Sequence, residues 1–188
     1  MEEDTPLQVN IERTLIKNGP KFLSHTVMIK GQIAYLRPTM SAMMFCVIYI
    51  VVGTFLLALA SVIYWNTRQL DLTIFIGSFG IIIGVFGLAL IKPFMKRARF
   101  DQVSGRFDNN QDRDVKLQHI VSLQVLNKVV VRGQAPSYPC YELNLLTKNG
   151  RRINILNHND LPQMQLDALV LGQFLKVDVR DLRRDIQI

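Results

Sequence analysis

Two stretches of the chain break the usual alternation of polar and apolar residues. Thr39 to Thr67 contains no Asp, Glu, Lys or Arg, and neither does Leu72 to Ile91. Crossing about 30 Å of hydrocarbon at about 1.5 Å per residue takes roughly 20 residues. Each stretch therefore predicts a transmembrane helix, at about 42–65 and about 72–91. Both are apolar all round, whereas a helix lying on a soluble core carries only an apolar stripe. Six residues, Asn66 to Asp71, join them, which makes the helices antiparallel neighbours. The pattern divides the chain into a segment at 1–40, a hairpin at 41–91 and a C-terminal segment at 92–188.

Beyond Arg99 the period becomes two. From Leu117 to Val131 the odd positions read Leu, His, Val, Leu, Val, Asn, Val, Val, while the even ones include Lys116, Ser122, Gln124 and Lys128. One long strand, or two end to end, with a single buried face fits this pattern. A hairpin is predicted at Phe100 to Phe107 through Val103-Ser104-Gly105, and Gly133 to Pro139 reads as an exposed loop. A second hairpin turns near Asn149-Gly150. A two-residue turn would set Leu143 opposite Leu156 and Leu145 opposite Asn154. A three-residue loop, Lys148-Asn149-Gly150 with Gly150 left-handed, instead aligns Tyr141, Leu143 and Leu145 with Ile153 and Ile155. The hydrophobic match decides for the longer loop, because a one-residue slip turns every apolar side chain outward.

A C-terminal helix is predicted over about 160–176. Asp160 suits its N-cap and Pro162 its first turn, and Leu161, Met164, Ala168, Leu171 and Leu175 share a face. The fold class is thus membrane α+β: a transmembrane hairpin plus an antiparallel sheet closed by one amphipathic helix. Residues 1–40 are less legible. Leu7, Val9 and Ile11 alternate as in a strand, and Val27, Ile29, Ile33 and Leu36 offer a surface to the membrane. Joining the sheet, lying at the interface and staying disordered are all open to this segment.

Charge orients the hairpin. Lys21, Lys30 and Arg37 precede it and Lys92, Lys96, Arg97 and Arg99 follow it, against Arg68 alone in the loop. Positive charge resists translocation, so both termini are expected in the cytoplasm. The N-terminus opens Met1-Glu2-Glu3-Asp4, the wrong charge for a secretory signal. Of the net +7, most lies late: residues 92–188 hold 16 Lys and Arg against 10 Asp and Glu, residues 1–91 hold 6 against 5. The cluster Lys92, Lys96, Arg97 and Arg99 is expected to meet anionic lipid headgroups. No nucleic-acid recognition motif accompanies the charge.

The second apolar stretch places Gly77, Gly80, Gly84 and Gly87 on one helical face, including a GxxxG match. Such a face packs closely, either within the hairpin against Gly53, Ala60 and Ser61, or between copies as a homo-oligomeric seam. Neither helix carries Asp, Glu, Lys, Arg or His, the groups that mark ion pathways. Tyr64 and Trp65 suit an interfacial belt.

Catalytic chemistry is hard to find in the sequence. His25, His119 and His158 lack ligand spacing, so no metal site is expected, and no cofactor motif is present. Cys46 and Cys140 fall in different segments and are expected to be reduced thiols. His119, on the apolar face of its strand, reads as a core imidazole, and His158-Asn159-Asp160 as a turn ending in a cap.

The order of elements resembles the pleckstrin-homology-like fold. Phe100-Asp101, Gly105 and Phe107, then Ile120 to Leu126, Tyr141 to Leu145 and Gly150 to Ile155 resemble bacterial inner-membrane proteins that pair a two-helix hairpin with a small β-rich cytoplasmic domain. The resemblance covers roughly residues 40–180. It implies an inner-membrane location and an architecture, not an activity. The expectation is a non-enzymatic binding or regulatory module that presents its β-rich domain to an unidentified protein partner. The rival readings are an immunity protein against a toxin acting at or crossing the inner membrane, and an enzyme acting on lipids.

Overall fold

The computed structural model describes residues 13–94, 98–109, 115–131, 133 and 136–183. The chain forms two compact units, Met1–Arg37 with Arg97–Ile188, and Pro38–Lys96.

The second unit is a pair of helices, α1 (Met40–Thr67) and α2 (Leu70–Phe94). Thr39 starts α1 by accepting a hydrogen bond from the Ala42 amide at 3.3 Å. Both helices run further than the apolar pattern predicts, so that Arg68 and Gln69 alone connect them. The polar residues expected in a loop satisfy themselves on the helix instead. Asn66 Nδ2 and Thr67 Oγ1 donate to the carbonyls of Val62 and Ile63 at 3.0 and 2.8 Å. Arg68 ends α1 in the left-handed region (φ 56°), with its guanidinium over the rings of Tyr64 and Trp65.

Ala42, Cys46, Gly53 and Ala60 are the buried residues of α1. Most of the large apolar side chains are not covered: Phe55, Trp65, Ile74 and Ile82 are 64–70 % exposed. A core helix of a soluble protein would bury such residues. These two helices are long and apolar enough to cross a membrane.

The first unit is α+β. One sheet has five strands in chain order: β1 (His25–Lys30), β2 (Ile33–Pro38), β3 (Arg99–Asp101), β4 (Arg106–Asp108) and β5 (Val115–Lys116). The helical pair is thus inserted between β2 and β3, which pair antiparallel with Ala34 opposite Phe100. The expected 100–107 hairpin is present. Asp101 Oδ1 accepts the amides of Val103 and Ser104, Gly105 takes φ 66°, and Phe100 stacks on Phe107 at 4.5 Å. The 1–40 segment therefore contributes strands, while Leu7, Val9 and Ile11 lie outside the described residues.

The other sheet has the order β8-β7-β6-β9, with β6 (Ile120–Val130), β7 (Tyr138–Thr147), β8 (Arg152–His158) and β9 (Asp178–Asp181). It is mixed rather than purely antiparallel, because β9 pairs parallel to β6. The predicted strand at 117–131 begins late. Leu117–His119 form a 3₁₀ turn, and an irregularity between Ile120 and Ser122 leaves Val121 42 % exposed. His119 is exposed, not a core residue, since the turn lifts it off the strand before the alternation starts.

The hairpin from β7 to β8 contains both registers weighed from sequence. Near the turn Leu145 faces Ile153 and Asn144 faces Asn154, as the three-residue loop requires, with Gly150 at φ 74°. A bulge then shifts the pairing, so that Leu143 faces Leu156 and Tyr141 faces His158. The extra residue lets Ile153, Ile155 and Leu156 all reach the core.

Helix α3 (Leu161–Leu175) begins where expected, with Asp160 Oδ1 accepting the Gln163 amide at 2.9 Å. Met164, Ala168 and Leu171 are buried, and Leu161 and Leu175 are half-buried. They share one core with Ala34, Phe100 and Phe107 of the first sheet and Leu123, Leu143 and Leu145 of the second. Gly172 permits β9 to pass close by, since a Cβ there would stand 2.6 Å from Val179 Cγ2.

Candidate functional site

The second sheet has a core face and an outer face, and the outer face is the unusual one. Alternation along β6 and β7 points Gln124, Lys128, Cys140, Glu142 and Asn144 away from α3. Gln124 and Lys128 fall opposite the single face expected to be buried, yet each of the five is no more than 8 % exposed. Residues 13–19, which bend at Arg13, Leu15 and Lys17, lie against Lys128, Cys140 and Glu142.

The side chains of the face hold the main chain of that segment. Glu142 Oε1 accepts the Leu15 amide at 2.7 Å and Oε2 the Ile16 amide at 3.2 Å. Lys128 Nζ donates to the Ile16 carbonyl, and to the Asn18 carbonyl at 3.0 Å. Arg152 Nη1 donates to Arg13 O at 2.7 Å, Asn157 Nδ2 to Asn18 O at 2.9 Å, and Tyr138 Oη to Gly19 O at 2.6 Å. Lys128 and Glu142 also pair with each other at 3.1 Å, with side chains 7 % and 0 % exposed. Asn144 Nδ2 gives Glu142 Oε1 a further hydrogen bond at 2.7 Å, so each oxygen of the carboxylate has two donors.

Cross-strand register extends this surface. Gln124, Asn144 and Asn154 form a row across β6, β7 and β8. Asn154 Nδ2 donates to Asn144 Oδ1 at 3.1 Å, whereas among the described residues neither amide atom of Gln124 has a hydrogen-bond partner. Ser122 Oγ, one pleat along, is buried without a partner among the described residues as well. Cys140 donates its thiol to Asn157 Oδ1 at 2.9 Å, and burial pushes that thiol above its ordinary range. Burial likewise pulls the Arg152 guanidinium down, against the opposing pull of Glu142.

A second polar cluster lies on the core side, beneath α3. His158 is fully buried and accepts the Asp160 amide on Nδ1 at 3.2 Å, leaving Nε2 without a partner among the described residues. Burial lowers its pKa to about 4, Asp160 opposing and His25 adding to the shift. Asp167 Oδ1 accepts the Val27 amide at 3.1 Å and Gln163 Nε2 at 2.9 Å, tying α3 to β1. Burial raises its pKa to about 6. Among the described residues no group of three His, Cys, Asp or Glu is arranged to hold a metal ion.

The residues singled out from sequence fall elsewhere. Gly77, Gly80, Gly84 and Gly87 lie on the face of α2 that meets α1. A Cβ on Gly53 would stand 2.6–2.8 Å from the backbone of Gly84 and Gly80, and one on Gly87 2.9 Å from Tyr49 and Ile50. Gly77 lies across from Ala60. Ser61 is exposed and donates to the Leu57 carbonyl of its own helix. Of the basic cluster, Lys92 is exposed and Arg99 pairs with Asp101 at 2.9 Å. Lys96 and Arg97 lie outside the described residues. No protein-family model matches the chain, and no curated protein matches it.

Proposed function

We propose that this chain is a non-enzymatic inner-membrane module, anchored as a hairpin with both termini cytoplasmic, that presents a β-rich domain of pleckstrin-homology-like plan to a protein partner. Two exposed apolar helices support the anchor, since water would not tolerate so much uncovered Phe, Ile and Leu. The excess of cations outside Arg68 supports the orientation. The observation that carries the binding role is the outer sheet face, where a buried Lys–Glu pair is used to hold main-chain groups of another segment.

Lipid headgroups have the exposed Lys92 as a contact, which fits a membrane-proximal module without defining a lipid site. The test is crosslinking of the tagged full chain in native membranes followed by mass spectrometry. A protein crosslinked through residues 98–183 is the expected result. Recovery of lipids alone would overturn the binding reading.

A further inference from the structure

We propose that the outward face of α3 is the seat of a two-fold contact between copies of this chain. On a 15-residue helix, in a chain whose residues are 20 % charged, a solvated face ordinarily carries charge. This one carries none. Asp167 is the sole ionisable residue between Leu161 and Leu175, and it is buried. The exposed positions are Pro162, Gln165, Leu166, Leu169 and Gln173, with Leu166 and Leu169 at 54 % and 56 %. Pro162, Leu166, Leu169 and Gln173 repeat at helical spacing and form one stripe, opposite the residues that meet the core.

The stripe continues onto β1. Val170 stands one turn on from both Leu166 and Asp167 and is half-buried. Asp167 accepts the Val27 amide, and Ile29, two residues further along the same side of β1, is 42 % exposed. Leu166, Leu169 and Ile29 therefore offer apolar area along α3 and beside it, a surface of the kind that marks a protein contact.

Charge names the occupant. The chain carries a net +7, and residues 92–188 hold 16 Lys and Arg against 10 Asp and Glu. Two copies meeting through a cationic surface would repel, whereas α3 meets α3 without that cost. A two-fold axis between Leu166 and Leu169, the middle of the stripe, brings the four leucines together. Gln165 and Gln173 each carry donors and an acceptor, so each can pair with an identical side chain. An anionic leaflet is a poorer fit, because helices that lie on one flank their apolar stripe with Lys or Arg, and Leu161–Leu175 has neither. A charged partner segment finds no counter-ion here. The glycine face of α2 does not serve instead, since Gly80 and Gly87 are already closed against α1. Confinement of copies to one bilayer in one orientation, a step that rests on the proposed anchor, raises their effective concentration.

The test is energy transfer between full chains tagged at the C-terminus with donor or acceptor, in phosphatidylcholine vesicles, followed as added lipid dilutes the protein. Wild type should associate saturably. Leu166→Glu with Leu169→Glu, and Leu166→Lys with Leu169→Lys, should each weaken association by about tenfold or more, since like charges then meet at the axis. Mixing the two charged variants should restore association to within about threefold of wild type, a rescue that lost folding could not give. Where circular dichroism shows a charged variant unfolded, Leu166→Ser with Leu169→Ser should show the same weakening. A wild-type chain that stays monomeric at every dilution, folded variants that associate as wild type does, or a mixture of folded charged variants no tighter than its components would each overturn the inference. A different protein crosslinked to α3 of a monomeric chain would also sink it and leave the proposed function standing. Dimers through α3 with no other protein crosslinked would do the reverse.

Discussion

The pair at the centre of the outer face makes a demanding prediction, because Glu142→Gln changes two atoms and almost no volume. In the native site Glu142 accepts four hydrogen bonds, from Leu15, Ile16, Lys128 and Asn144. A carboxamide has one acceptor oxygen, so its NH₂ must face two donors, either Lys128 with Ile16 or Leu15 with Asn144. Lys128 is then a buried cation without its counter-ion. Breaking one side of a buried pair costs roughly 3–5 kcal/mol, more than a surface pair is worth. For a chain of this size that corresponds to a fall in Tm of roughly 6–20 °C. The assay is thermal unfolding of the β-rich unit in detergent, followed by near-UV circular dichroism. Lys128→Met and the double variant complete the cycle, and the double variant should lie closer to wild type than the sum of the singles. A loss under about 1 kcal/mol for Glu142→Gln would mean the pair is hydrated and residues 13–19 not seated, refuting the description of the face.

The remaining predictions concern the helices and the cluster under α3. Gly53→Val places methyl groups against the backbone of Gly80 and Gly84, where no flexible side chain can yield, and should destabilise the hairpin by about 1–3 kcal/mol. Gly84→Ala meets only Gly53 Cα at 4.0 Å and should be tolerated, the two being compared by gel mobility of the full chain in SDS. Asp167, raised to about 6 from 3.8, contributes stability that is whole below pH 3.8 and lost as pH rises through 6. Asp167→Asn should therefore stabilise the protein at pH 7, by on the order of 3 kcal/mol at most, and change little at pH 3.5. His158, lowered to about 4 from 6.5, acts in the opposite sense, its stability present above pH 6.5 and lost as pH falls through 4. Denaturant unfolding between pH 3.5 and 7.5 should thus show a shallow wild-type profile and a steep acid loss in Asp167→Asn. A wild-type profile as steep as that of the variant would contradict the assignment.

Much of the molecule could be read from the chain. Charge-free stretches found the two helices, and Asp160 with Pro162 marked the start of α3, because these signals are local and each has one physical cause. The hairpin from Tyr138 to His158 was harder, and instructively so. Two registers competed on hydrophobic matching, and the protein uses both, joined by a bulge that no local pattern announces. The parallel strand β9 was missed for a related reason. Asp178-Val179-Arg180-Asp181 has one apolar residue, and its place beside β6 depends on Gly172 giving Val179 room.

The outer face was misread because polarity was equated with exposure. Alternation in β6 reports which residues share a face, not what lies over that face. Lys128 and Glu142 are polar and buried together because the element against them presents main-chain amides and carbonyls, which need polar partners as much as apolar side chains need apolar ones. A clue was present in the composition: Lys128, Glu142, Asn144, Asn154 and Asn157 exceed what a solvated strand face requires and supply both donors and acceptors. A purely solvated face has no need to balance the two. Balance is what a bound main chain demands, and the Leu15 and Ile16 amides converging on Glu142, with the Ile16 and Asn18 carbonyls on Lys128, are where that demand is met.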